Sequence, residues 1–242
     1  MKKRRLDEIL LARGTAQDKK EAFIIVTEGR VTVDGQKAVT PAQVVADSAV
    51  VDVREVLPYV GRGAYKLFAA LDAFQIAATR KICADIGAAT GGFTQILLER
   101  GAAKVYAIDT ARGKLALKIR QDPRVVVMEQ TDARDLAALP EKIDLAVIDV
   151  SLISLRDILA SARRLLAPSG AVVALFKPQY ETRDPATLHH GIVKDDETRD
   201  ALVNGFISWL KEHHWHIVSH IVSPIRGAKG NTEYLFHLIS KG

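Results

Sequence analysis

Apolar positions follow two rhythms along the 242 residues. From residue 64 onward, short apolar runs alternate with stretches of helical spacing. Residues 82–85, 104–109, 124–128, 143–149 and 171–176 read as strands. Residues 64–74, 95–100, 155–166 and 195–212 read as helices, the first with Leu67, Ala70, Leu71 and Phe74 on its inner face. Such alternation implies an α/β fold with a parallel doubly wound sheet, which binds ligands beyond the C-terminal strand ends. Residues 216–222 and 233–239 form a last strand pair. The connection around 224–231 is too short for a crossover helix, so that pair is predicted to run antiparallel.

Residues 4–56 keep a different pattern and read as a small α+β module. Leu6, Ile9 and Leu10, continued by Arg13, have helical spacing that Gly14 ends. Asp18 can cap a second helix over 19–27, with Ala22, Ile25 and Val26 on one face before Gly29. Val31-Thr32-Val33 alternates like a strand and runs into Asp34-Gly35, a type I′ hairpin signal. More strand is expected over 44–53. The domain boundary is placed at residues 57–63, where Pro58, Gly61 and Gly63 break the pattern, leaving 64–242 as the larger domain.

Composition adds bounds. Hydrophobic content of 48% with 26% charged residues is that of a soluble globular protein. The net charge of +5 leans towards polyanionic partners. No apolar run reaches the ~18 residues of a membrane span, and the basic start Met1-Lys2-Lys3-Arg4-Arg5 is followed by Asp7-Glu8 instead of the apolar core of a signal peptide. One cysteine excludes an internal disulfide framework, and Cys83 reads as a small core residue. A cytoplasmic location is expected, without a membrane and with nothing that implies an obligate protein partner.

Candidate chemistry gathers at one sheet edge. The stretch Asp85-Ile86-Gly87-Ala88-Ala89-Thr90-Gly91-Gly92-Phe93 is a strand end, a glycine-rich turn and a helix start. Its glycines admit a ligand close to the backbone, and free N–H groups at the helix start face it. The dinucleotide fingerprint fits only in part, because Ala89 holds its middle position; an adenosine cofactor without phosphates is favoured over a pyrophosphate. The alternative is a tight turn that binds nothing. Asp85, Asp109 and Asp149 end three strands, and Asp109 follows Asp85 by 24 residues, near the offset at which an acid reaches a ribose hydroxyl pair. Asp132, after the third strand, could meet an adenine edge or cap a short helix. Lys177 follows the apolar run 171–176, so it lies at the sheet rim as a base, a rim cation or half of a structural pair. His213, His214 and His216 end a surface helix, and no metal is expected there.

Two resemblances sharpen this reading. Arg5-Leu6-Asp7 through Arg13-Gly14, followed by Glu28-Gly29-Arg30-Val31-Thr32-Val33-Asp34-Gly35, resembles the α-L RNA-binding motif. That resemblance implies a face carrying Arg4, Arg5, Arg13, Lys19, Lys20 and Arg30 that contacts RNA phosphates. Further on, Arg62-Gly63-x-x-Lys66-Leu67, the glycine turn, Asp149-Val150-Ser151-x-Ile153-Ser154-Leu155, Lys177-Pro178-Gln179, Gly191-Ile192-Val193 and Asn231-Thr232-Glu233 resemble the TlyA family over essentially the whole chain. Membership implies an α-L RNA-binding domain joined to a Rossmann-like FtsJ-type methyltransferase with a mostly parallel seven-stranded sheet. It implies S-adenosylmethionine as cofactor, contacted by Asp85, Gly87, Ala88, Thr90, Gly91, Gly92, Phe93, Asp109, Asp132 and Asp149. It further implies 2′-O-methylation of cytidine in ribosomal RNA, with ribosomal subunits as partners, and a Lys-Asp-Lys-Glu tetrad at Lys66, Asp149, Lys177 and Glu233. Gly61, Ala64-Tyr65, Ala89, Gln95, Leu152 and Tyr180 depart from the usual residues, and none of them belongs to the tetrad. The alternatives are an RNA-binding assembly protein on a methyltransferase scaffold, or a cytolysin, since some relatives carry the label haemolysin.

Overall fold

A computed structural model describes residues 3–27, 29–53, 59–182 and 184–240. The chain divides into two compact units, residues 1–58 and 59–242. Residues 54–58, which include the first part of the expected connection, and Glu28 of the amino-terminal motif lie outside the described residues.

The first unit packs helices α1 (Leu6–Ala12) and α2 (Lys19–Thr27) through Leu6, Ile9, Leu10, Ala22, Ile25 and Val26, all buried. Asp18 caps α2, its carboxylate accepting the Glu21 N–H at 2.7 Å. Strands β2 (Val31–Val33) and β3 (Gln36–Lys37) form a hairpin through Asp34 and Gly35, at φ 49° and 79°, the left-handed pair a type I′ turn needs. The strand expected over 44–53 is present as β4 (Val44–Ala46) and β5 (Val51–Val53), punctuated at Asp47-Ser48 as the sequence indicates. Lys3, Arg4 and Arg5 of the basic start form β1 (Lys3–Arg5), which pairs antiparallel with β4, Arg4 opposite Val45.

The second unit contains α3 (Gly63–Ala73), β6 (Ile82–Ile86), α4 (Gly92–Glu99), β7 (Lys104–Asp109), α5 (Leu117–Arg120), β8 (Val125–Glu129), β9 (Ile143–Ile148), α6 (Leu155–Leu165) and β10 (Leu166–Phe176). A two-residue hairpin, β11 (Leu188–His189) with β12 (Ile192–Val193), precedes α7 (Asp196–Glu212), β13 (Trp215–Val222) and β14 (Tyr234–Ser240). Seven strands form one sheet in the order β13-β14-β10-β9-β6-β7-β8. All neighbours from β10 to β8 are parallel, whereas β14 runs antiparallel to both β10 and β13. This is a Rossmann-like doubly wound arrangement with one antiparallel strand set into it. Helices α6 and α7 cover one face around Phe176, Phe206 and Phe236, while α3 and α4 cover the other around Leu67, Ile96 and Leu97.

Two features of this topology place the site. The strand order reverses between β6 and β9, which opens a crevice at their C-terminal ends. The antiparallel β14 brings its own first residues to that same rim, with Tyr234 opposite Phe176.

Candidate active site

The rim of the sheet holds two carboxylates, not the three expected. Cross-strand register sets Asp85 level with Ala107 and Val147, one layer inside the sheet. Two residues later the same row contains Gly87, Asp109 and Asp149, so a glycine sits between two acids. Asp85 is fully buried and turned towards α4, where one carboxylate oxygen accepts the Thr94 N–H at 2.9 Å and its hydroxyl at 2.6 Å. Its second oxygen, Oδ1, has no partner. Burial, with Asp149 and Asp109 nearby, pushes its pKa up to about 7. Asp85 therefore supports the turn from beneath and lines none of the three cavities described below.

The turn itself requires glycine at two points. Gly87 has φ 89° and lies so close to the Asp149 carbonyl that a Cβ would collide with backbone. Gly91, at φ 92°, is the left-handed residue before α4, with Leu115 and Ile119 packed where a side chain would go. Ala88, Thr90, Gly92 and Phe93 complete the loop, and with Gly61, Gly63 and Asp149 they border a recess of about 100 Å³.

That recess shares Gly87, Ala89 and Asp149 with a larger cavity of about 510 Å³. Asp109 stands in its wall, one oxygen accepting the Ala89 N–H at 2.8 Å and the other the Ala111 N–H at 2.7 Å. These bonds fix the carboxylate and leave one acceptor direction on each oxygen for a ligand. Asp132 lies in the same wall and is clamped by the Arg134 guanidinium at 2.6 Å, which holds its carboxyl below the usual range. Ile86, Ile108, Val150 and Ile158 supply apolar surface. The chamber is therefore largely apolar, with Asp109, Asp132 and Asp149 in its wall beside Lys114 and Arg134, chemistry suited to a nucleoside.

A third cavity, about 360 Å³, shares Ser151 and Leu152 with the second. Lys66, Lys177 and Glu233 converge on it, all buried. Each reaches it from a different element: Lys66 from the first turn of α3, Lys177 from the residue after β10, Glu233 from the residue before β14. The Lys66 ammonium lies 2.5 Å from Glu233 Oε2, and the Lys177 ammonium lies 2.6 Å from Asp149 Oδ1. Lys177 also donates to Ser151 Oγ at 2.8 Å. One buried and one part-exposed ion pair thus stand beside a solvent-open chamber, with Asp149 bordering the other two cavities.

The chain matches the FtsJ-like methyltransferase family over residues 59–239. It is 40% identical over 238 residues, 97% of its length and 89% of the relative's, to a protein from Mycobacterium tuberculosis named 16S/23S rRNA (cytidine-2′-O)-methyltransferase TlyA. The chain belongs to the TlyA group of FtsJ-like methyltransferases. Hemolysin A from Brachyspira hyodysenteriae is 38% identical over 97% of this chain and 99% of its own. A solved structure from Streptococcus thermophilus, provisionally named a hemolysin, aligns over 100% of this chain and 90% of its own at TM-score 0.75 and 34% identity.

Three contributors to this FtsJ-like site carry no role from sequence. Ser151 is quoted within a motif, but nothing in spacing shows that it meets Lys177. Asn231 is buried, accepts the Val193 N–H at 2.9 Å and donates to the Gly191 carbonyl at 2.8 Å. It thereby ties the β11–β12 hairpin to the loop before Glu233, which explains two of the motifs at once. The Glu181 side chain is buried beneath the start of α6, accepting from Ser154 Oγ and the Leu155 N–H, both at 2.7 Å, and anchors the loop that holds Ser151.

Proposed function

We propose that this chain transfers a methyl group from S-adenosylmethionine to the ribose 2′-hydroxyl of a cytidine in ribosomal RNA. One observation carries the reading: a carboxylate-edged nucleoside chamber and a chamber lined by Lys66, Lys177 and Glu233 meet at Ser151 and Leu152, with Asp149, the partner of Lys177, in the wall of the first. The relatives named above as rRNA (cytidine-2′-O)-methyltransferase give the substrate class.

The residues fit the cofactor. Asp109 offers two acceptor directions to a vicinal diol, Asp132 an acceptor for an exocyclic amine, and Gly87 presents bare backbone to the chamber. When bound, S-adenosylmethionine supplies an electrophilic methyl on a sulfonium, so the protein needs no metal to activate it. A ribose hydroxyl is a poor nucleophile, and the protein's task is alignment and removal of its proton. Lys177 in its neutral form takes that proton. Asp149 fixes the Lys177 amine from one side, and Glu233 holds Lys66 beside it as a cation facing the substrate oxygen.

RNA delivery falls to the first unit in this reading, with the six basic residues named above unequal in it. Lys19 and Lys20 are exposed, and Arg4 makes a 3.5 Å bond to the Glu8 carbonyl and a 3.8 Å contact with Asp47. Arg5 is bound to Asp7 at 2.6 Å, and Arg13 donates to the Val51 carbonyl at 2.8 Å. Arg30 is half-buried. Phosphate contact is assigned to Arg4, Lys19 and Lys20, while Arg5 and Arg13 hold the fold.

Mapping 2′-O-methylated riboses in ribosomal RNA tests the whole reading. Cells with the wild-type gene should carry at least one modified cytidine that disappears on deletion and does not return with Lys177→Ala. The purified variant should still bind S-adenosylmethionine while losing about 10²–10⁴ in rate, the usual contribution of a general base. An unchanged methylation map on deletion refutes the proposed activity.

A further inference from the structure

The Lys177 amine has two acceptors in the protein, Asp149 Oδ1 at 2.6 Å and Ser151 Oγ at 2.8 Å. A neutral amine carries two N–H bonds and one lone pair, arranged tetrahedrally about nitrogen with the side-chain carbon. One acceptor fixes one N–H and leaves the lone pair free to occupy either remaining position. A second acceptor removes that choice. We propose that Ser151 is a positioning residue that aims the Lys177 lone pair into the lysine-lined chamber; the inference rests on the methyl-transfer reading above and deepens it.

The surroundings of Ser151 suit this role. Its backbone lies between Asp149, whose N–H donates to the Ile86 carbonyl at 2.9 Å, and Ser154, whose hydroxyl donates to buried Glu181. The loop is thus pinned to the sheet at one end and to α6 at the other. Leu152, next in sequence, holds the left-handed φ of 70°, which only a fixed loop imposes on a leucine. Ser151 borders both large cavities, at the place where lone pair and methyl acceptor must meet. Its side chain is exposed, so its removal leaves no hole in the core. The hydroxyl does no proton transfer in this account. The 2′-hydroxyl proton goes to Lys177, the new bond forms between the ribose oxygen and the methyl carbon, and the sulfonium leaves as a neutral thioether.

The test compares wild type, Ser151→Ala and Ser151→Thr in single-turnover methylation of unmodified ribosomal subunits with labelled S-adenosylmethionine, across pH 6 to 10. The alanine variant is expected to bind cofactor as wild type does and to lose tenfold or more in the rate of transfer. The rise of its rate with pH should move to lower pH, because an acceptor favours ammonium over amine. Threonine, which keeps the hydroxyl, should restore both. An alanine variant with wild-type rate and profile overturns the inference. So does one that is slower with an unmoved profile and no rescue by threonine, since a general disturbance would give that result. A wild-type protein that methylates no cytidine removes the reading beneath, and this failure is visible before any variant is made.

Discussion

Asp85 is the residue whose position the sequence misrepresents most, and it makes a measurable prediction. On paper it is the third acid at a strand end; in the fold Ile86 follows it within β6, and its carboxyl is sealed against Thr94. Nothing in the pattern distinguishes an acid that ends a strand from one a single residue earlier, because the glycine turn begins directly after either. Burial pushes its folded pKa to about 7, above the ordinary carboxylate value it regains on unfolding. Between those two values the folded state keeps a proton that the unfolded chain has released. Stability therefore falls as pH rises through that window, with the full penalty reached above about pH 7. Asp85→Asn abolishes this slope. Urea unfolding from pH 5 to 8 should show wild-type stability declining relative to the variant by a few kcal/mol at most, at roughly 1.4 kcal/mol per pKa unit. Parallel curves would mean that Asp85 does not titrate in this range.

At the scale of elements, the long apolar strands and amphipathic helices were legible because burial imposes their periods over many residues. The antiparallel final pair followed from connection length alone, and the type I′ turn from Asp34-Gly35. Pieces held by backbone bonds and not by burial were invisible. Strand β1 consists of three basic residues, and β11 and β12 have two residues each, too few to show alternation. The β11–β12 hairpin also shows why motif residues without a role in chemistry still appear: its place depends on the Asn231 side-chain amide, which bonds Gly191 and Val193 across forty residues of sequence. Asn231→Ala leaves those two backbone groups without their partner, at a cost of about 1–3 kcal/mol confined to this corner. Hydrogen exchange should rise at residues 188–193 while β6 and β9 keep their protection. Turnover should drop with cofactor affinity unchanged, because Leu188 and Gly191 border the lysine chamber and not the nucleoside one. Weakened cofactor binding in this variant would place the hairpin's influence elsewhere.

Over the whole molecule, the two units keep separate cores: one is built from residues between Leu6 and Val51, the others from Ala64 to Leu238. Every residue of the proposed catalytic and cofactor machinery lies in the second unit, and the basic residues assigned to phosphates lie in the first. Charge is spread so evenly that net charge does not report this division. Residues 1–60 hold ten Lys/Arg against nine Asp/Glu, so on the reading proposed above the first unit attracts RNA through Arg4, Lys19 and Lys20 locally and not through its net charge. The division predicts separable losses. The fragment 59–242 should fold, with S-adenosylmethionine affinity within about twofold of the full chain, because it retains complete cores and a complete cofactor chamber. Its affinity for ribosomal subunits should fall, and the salt dependence of binding should become shallower. Loss of three phosphate contacts lowers the slope of log K against log salt by about 2, at 0.7–0.9 per contact. Changing Arg4, Lys19 and Lys20 to Glu in the full chain should lower both affinity and slope at least as far without affecting its melting temperature. Arg13→Ala should instead destabilise the first unit by about 1 kcal/mol through the lost bond to Val51. If the charge-reversed chain binds subunits with an undiminished slope, the contacts that carry RNA lie on the catalytic unit, and the first unit needs another task.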